Sequence, residues 1–256
     1  MTSGILEAHA AGTVTATSMM VGCPGWDDGV RRARATPTLD VGLHFNLLVG
    51  SPRTAALSLR GPAGDFLALG ALARRALRGG IRAADVEAEC EAQLAALAGA
   101  GIRVTHIDSH RHTHALPVIH GAVARVAAAR GLPLRRPVES PRWFAADVPS
   151  QLHRALVAWA WRVTGVGAPR TRSADHFVGI ALQGGQRFAG RLARLLDRLP
   201  PGTTELMVHP GYVDDALGAI DGYTWQRERE RDALTAPALG AQLGRRGIAL
   251  VGFGAL

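Results

Sequence analysis

Lysine is missing from the 256 residues; all 29 basic side chains are arginine, against 21 acidic ones, for a net charge of +8. A basic balance ordinarily points to nucleic acid or an acidic surface. Here the arginines are scattered at helical spacing, as in Arg31, Arg32 and Arg34 or Arg191, Arg194 and Arg198. With the abundant Ala, Gly and Pro, arginine without lysine reads as coding bias in a high-GC genome, and no nucleic-acid partner is expected. The two cysteines, Cys23 and Cys90, lie far apart, which excludes a disulfide framework and a thiolate metal site. No apolar run approaches ~20 residues and no basic-then-apolar leader opens the chain, so no membrane span is expected and the cytoplasm is the default location. A glycine-rich phosphate loop is absent, as is a Gly-x-Ser-x-Gly elbow, so nucleotide chemistry and a serine nucleophile are unsupported.

What is present is histidine in one place. Four of the ten histidines fall in Thr105–His114, written Thr-His-Ile-Asp-Ser-His-Arg-His-Thr-His. Read as strand, this puts His106, Asp108, His110, His112 and His114 along one side. The β-branched Ile102–Thr105 precedes the run and Pro117 closes it, which places the cluster at the carboxyl end of a strand, where parallel α/β folds keep their chemistry. Imidazole and carboxylate together suit a borderline or hard divalent ion.

Along the chain, apolar strand-like stretches alternate with helical ones. Strands are expected at 13–21, 40–47, 102–105 with the histidine cluster at its carboxyl end, 132–137, 175–180, 204–209 and 248–253. Helices are expected at 26–35, 68–77, 84–98, 118–129, 149–163, 186–198 and 227–246. Val86, Cys90, Leu94 and Leu97 recur at helical spacing, and the nearby Asp85, Glu87, Glu89 and Glu91 read as a solvated face. Residues 50–67 read as a loop, open to a substrate-facing part. His44 and His209 each end a strand, as Asp108 and His110 do. Arg135 or Arg136, leaving a short strand, can hold a substrate or orient a carboxylate. The charge run Arg227–Asp232 alternates in sign. The expectation is an α/β fold, a (β/α) barrel or doubly wound sheet, in a single domain over 1–256.

Four segments in order, Thr15–Val21, Gly42–Leu47, His106–His114 and Val208–Pro210, resemble the YdjC-like carbohydrate deacetylases, the ChbG/HpnK group. The resemblance spans nearly the whole chain. It implies a distorted, TIM-like (β/α) barrel that hydrolyses an N-acetyl group from an amino sugar, a small-molecule carbohydrate partner, and a divalent metal, Mg2+ or Zn2+. By the same resemblance His44 and His110 are metal ligands, His209 is the general acid, and Arg135 is a site arginine. Asp108 joins His209 as a catalytic candidate, with Arg135, His112 and His114 as substrate-binding candidates; a homodimer is left open. Members of that family open with a strand ending in two aspartates and Phe-Gly, ahead of the helix with which this sequence starts. Asp27-Asp28, beyond the next strand, is no replacement. The barrel is therefore expected to lack its first strand, through a start codon set too far downstream, and the 256 residues to have little or no activity. The alternative is a non-catalytic sugar- or metal-binding relative.

Overall fold

In the computed structural model of the chain, residues 1–140, 148–183, 187–214, 217–218 and 222–256 are described, with no side-chain description for 148–150. The strands are β1 (Ala16–Met19), β2 (Asp40–Phe45), β3 (Val104–Ser109), β4 (His176–Val178) and β5 (Thr204–Leu206). The helices are α1 (Thr2–Ala10), α2 (Trp26–Arg34), α3 (Leu69–Leu77), α4 (Ala83–Gly99), α5 (Ile119–Ala129), α6 (Val148–Thr164), α7 (Phe188–Leu196), α8 (Trp225–Thr235) and α9 (Pro237–Arg245). The chain divides into two compact units. One holds Met1–Thr17, Val138–Ala155 and Ala174–Ala255; the other holds Ser18–Pro137, Leu156–Ser173 and Leu256.

The larger unit is built on a sheet in the order β1-β2-β3, with β2 and β3 parallel. A bridge from Ile107 to Leu134 carries the parallel array one step further. One face of β2 and β3 is apolar: Leu43, Phe45 and Ile107 are fully buried against Val86, Cys90, Leu94 and Leu97 of α4 and Val123 and Ala127 of α5. The helical spacing expected for α4 is the one observed. Its carboxylates are a correction. Glu89 is fully buried and accepts hydrogen bonds from the Arg53 and Thr54 amides, the Thr54 hydroxyl and Gln93. Asp85 accepts from the Ser58 amide. These carboxylates hold the 50–67 loop, while Glu87 and Glu91 pair on the surface with Arg125 and Arg130. Gln93 also ties α4 to the end of β2, exchanging two hydrogen bonds with the Asn46 backbone.

The opposite face of the same strands carries the polar residues. It admits His106 because position 42 is glycine: a Cβ there would lie 2.4 Å from the His106 ring.

The smaller unit pairs β4 with β5 in parallel over Phe177, Val178, Phe188, Leu192, Leu195, Leu234 and Leu243. Glu139, bridged to Phe177, is buried and accepts a hydrogen bond from the Ala181 amide at 2.8 Å. Burial pushes its carboxyl upward from the usual range. The charge run of α8 is also not all surface: Arg227 and Glu230 are buried beside Leu234, at the i, i+3 spacing that turns residues to one helix face.

The parallel α/β alternation expected of the sequence is observed. Among the described residues the ladders remain a three-stranded and a two-stranded sheet, and closure into a barrel is not seen. β1 is shorter than residues 13–21 and half-exposed throughout. Residues 248–252 form no ladder, and the Thr15 hydroxyl reaches the Val251 carbonyl instead.

Gly42→Ala is expected to destabilise the chain by about 1–3 kcal/mol, as overpacking against an immobile ring does. Gly99→Ala on α4, where an added Cβ meets nothing within 4 Å, is expected to be neutral or stabilising by up to about 1 kcal/mol. Urea melts of the two variants check the contrast.

Candidate active site

Register, rather than sequence proximity, builds the site. His44 of β2 and Asp108 of β3 are Cα partners in the parallel ladder, so both side chains leave the same face. The His44 Nδ1–H donates to Asp108 Oδ1 at 2.8 Å. The Ser18 hydroxyl of β1 donates to Asp108 Oδ2 at 3.0 Å, and Arg135 Nη1 pairs with that same oxygen at 2.6 Å. Asp108 is buried. Burial opposes its charge, but the Arg135 guanidinium and the His44 ring outweigh it and hold the carboxyl well below the usual range.

A carboxylate held this strongly ionised is a weak proton acceptor; its geometry is that of a group that orients an imidazole. Ser18, His44 and Asp108 do not form a nucleophilic triad. Ser18 lies 3.2 Å from His44 Nδ1, the nitrogen already facing the aspartate, whereas a triad needs serine and carboxylate on opposite ring nitrogens.

With Nδ1 on Asp108, His44 presents Nε2 away from the carboxylate. The rings of His44 and His110 lie edge to face, centroids 5.6 Å apart. Imidazole nitrogens bind an ion at about 2.0–2.1 Å, and two rings this close are candidates for two corners of a metal site, with Asp108 behind His44 as the outer carboxylate typical of such ligands. A third donor is not in place: among the described residues no group of three His, Cys, Asp or Glu is disposed to hold an ion, and both oxygens of Asp108 are engaged. Two neutral imidazoles suit zinc better than magnesium, which demands oxygen. The residues present therefore do not make a complete site for a resident ion.

The rest of the histidine run does not continue the strand. β3 stops at Ser109, and His110–Ala115 coils into a 3-10 turn whose Arg111 and His112 take left-handed φ of 52° and 54°. The expectation of one shared side across His106–His114 is thereby corrected. His106 lies buried under Gly42, its Nδ1 3.0 Å from the Thr105 hydroxyl, and burial lowers its pKa to about 4. His114 is fully buried. Its Nε2–H donates to the Arg135 carbonyl at 3.0 Å, and the Ser109 hydroxyl donates to its Nδ1. Burial brings its pKa to about 3. Both nitrogens are engaged and no surface is offered, so His114 is a structural residue here, not a substrate contact. His112 is buried beside it, rings 6.2 Å apart. Of the two roles open to Arg135, orienting a carboxylate is the one its geometry serves.

The sequence reading did not single out Ser18, Gly42, His120 or Trp161. Trp161 of α6 stacks on His120 at 3.9 Å and meets His114 edge-on at 5.6 Å. Burial lowers the His120 pKa to about 4. Ser18 lies in Thr15–Val21 and Gly42 in Gly42–Leu47, and their alternation with neighbours on the strand is the signal in the sequence.

In the smaller unit, His209 follows β5. Its backbone amide donates to the Glu230 carboxylate, which also accepts from the Tyr223 hydroxyl. The His209 and Tyr223 rings meet edge-on at 5.4 Å.

The sequence matches the YdjC-like protein family over residues 1–245. The chain belongs to that family. It is 34% identical over 249 residues to a carbohydrate deacetylase of Geobacillus stearothermophilus, covering 97% of this chain and 89% of that one. It is 35% identical over 273 residues to a mouse (Mus musculus) carbohydrate deacetylase, covering 96% and 87%. A crystal structure from Enterococcus faecalis, described as a candidate cellobiose-phosphate cleavage protein, superposes with a TM-score of 0.78 at 24% identity, over 99% of this YdjC-like chain and 92% of its own. At that identity the likeness is one of fold.

Two expectations follow. Arg135→Met leaves the buried Asp108 charge without its cation and should cost about 3–5 kcal/mol at neutral pH. The deficit should shrink at acidic pH as Asp108 takes up a proton, which guanidinium melts at pH 7 and pH 4 would read. The neutral, buried His106, His114 and His120 have folded pKa values of about 3 to 4, below the ordinary value near 6.5. The unfolded chain therefore binds protons first, and stability should fall as pH drops from about 6.5 towards about 4. A melting temperature flat from pH 7 to pH 4.5 would contradict this.

Proposed function

We propose that the chain carries the scaffold of a carbohydrate N-deacetylase, a hydrolase that removes an N-acetyl group from an amino sugar. The observation that carries the proposal is the pair His44–His110, aimed through Asp108, in a chain whose relatives of about one-third identity are carbohydrate deacetylases. In the proposed reaction water oxygen adds to the amide carbon and gives its proton to a carboxylate of the acidic pair that the family resemblance implies. The C–N bond breaks, and acetate and the protonated amine leave. The leaving nitrogen needs a proton, and His209 is the proposed donor. Asp108, Ser18 and Arg135 fix the His44 ring so that its outer nitrogen is available.

His44 and His110 are proposed as two ligands of a divalent ion, Mg2+ or Zn2+, whose role when bound is to polarise the amide carbonyl. The third ligand is proposed to come from the acidic pair of a strand ahead of Met1, completing a distorted (β/α) barrel. The half-exposed β1, at the edge of its sheet, supports this, since strand edges are ordinarily covered. A second reading, a non-catalytic sugar- or metal-binding relative, is favoured by the incomplete donor set.

The test is acetate release from di-N-acetylchitobiose with added zinc or magnesium, for the 256-residue chain and a form extended upstream through the acidic pair. Activity in the extended form alone, lost at least about 100-fold in His44→Ala and His110→Ala, is the expected result. His209→Asn should lower kcat by about 100-fold or more while leaving metal binding by calorimetry intact. Metal binding without turnover in the extended form would favour the second reading.

A further inference from the structure

In the smaller unit, the segment that carries His209 leaves the sheet before it reaches the histidine. The Met207 amide still bonds the Val178 carbonyl of β4, at 2.8 Å. Past it the chain turns to α8, where the His209 amide donates to Oε2 of the buried Glu230. Two residues on, the Gly211 amide donates to the Arg227 carbonyl at 3.2 Å, one turn earlier on the same helix. Pro210 between them biases His209 to extended backbone. The backbone is thus held on both sides of His209, and its ring torsions are the freedom left.

Tyr223 acts on those torsions. Its ring meets the His209 ring edge-on, centroids 5.4 Å apart, and its hydroxyl donates to Oε1 of Glu230. Arg227 holds Tyr223 in turn: Nε donates to the Tyr223 carbonyl at 2.6 Å, and the guanidinium lies 5.4 Å from the ring centre. His209, Glu230 and Tyr223 therefore form a closed set of three contacts, each member touching the other two.

We infer that Glu230 and Tyr223 are the positioning residues of His209, fixing the place and the ring direction of the proton donor. The inference rests on the reading of His209 as the general acid. A carboxylate that merely anchored the chain would need the amide alone. Here one oxygen takes the amide of the histidine and the other holds the ring that touches it, so both oxygens of a buried group serve one residue. A displacement of about 1 Å at a reacting group costs on the order of 100-fold in rate, which is what a brace of this kind prevents.

The first test uses the upstream-extended form with di-N-acetylchitobiose and zinc. Glu230→Gln removes the charge and leaves a single acceptor, and should lower kcat by about 10- to 100-fold with KM and zinc affinity unchanged. The alkaline limb of its kcat profile, which reports the acid in the complex, should move to lower pH by about half a unit or more, because an imidazolium loses a neighbouring negative charge. Arg227 is common to all variants, and a purely structural anchor would leave that limb in place. Should Glu230→Gln unfold, Tyr223→Phe decides: it keeps the ring, loses the hydroxyl, and should lower kcat about 3- to 10-fold at unchanged KM. An unchanged kcat, or a lower kcat with the limb unmoved in Glu230→Gln, would overturn the inference.

The second test needs no turnover. In the 256-residue chain, nuclear magnetic resonance should show an Overhauser contact between the His209 and Tyr223 rings and a His209 amide protected from exchange. In Glu230→Ala the contact should vanish and that amide exchange at least about 10-fold faster, with the Met207 amide still protected. An extended form inactive even as wild type would sink the deacetylase reading, and this measurement would then decide the positioning alone. Persistence of contact and protection in Glu230→Ala, or loss of protection at His209 and Met207 alike, would overturn it.

Discussion

The carboxylate of Asp108 is the interaction on which the arrangement of the site depends. Taking it out of water is costly, and the cost is offset by donors from three separate segments: Ser18 on β1, His44 on β2 and Arg135 beyond α5. The same group therefore fixes a histidine tautomer, aligns neighbouring strand ends and anchors the arginine whose carbonyl receives His114. Positioning by a buried ion pair explains why the two imidazoles of His44 and His110 lie within reach of each other although neither belongs to the other's element. It also separates two roles that a sequence cannot: a carboxylate beside histidines can take protons or hold rings, and three strong partners leave it the second.

Strand ends and helix faces were legible because they rest on local rules. The β-branched run before His106, the apolar run around His44 and the helical spacing of Val86, Cys90, Leu94 and Leu97 each announce their element. The register His44 to Asp108 was not legible, since it comes from pairing across sixty residues. The strand reading of His110–His114 failed for a local reason: two successive left-handed residues, Arg111 and His112, break the alternation that strand periodicity assumes. Glu89 was misread as solvated because a carboxylate on a helix looks alike in sequence whether it faces water or a loop's amides. Residues 248–253 have a strand's composition, but a strand exists through its partner edge, and that edge is a property of the fold.

The segment after Asp108 gathers the backbone conformations that cost most. Arg111, His112 and Val118 are the three non-glycine residues described with positive φ, each worth about 1–3 kcal/mol of strain. Ser109, His114 and the Arg135 carbonyl brace the turn from both sides. Strain of this kind persists where the surroundings over-determine the geometry, which is the condition under which His110 can be held against His44.

The 50–67 loop is fastened by Glu89 at Arg53 and Thr54 and by Asp85 at Ser58, carboxylates one helical turn apart on α4. The helix thus acts as a ruler: its pitch sets how many residues can lie between Thr54 and Ser58. Insertions there would have to release one carboxylate, while the turn from Gly61 to Asp65, closed on itself by the Gly61 amide and the Asp65 carbonyl, can lengthen without disturbing either. The loop therefore has its tolerance for a change in length at its far end, where the gauge is left untouched.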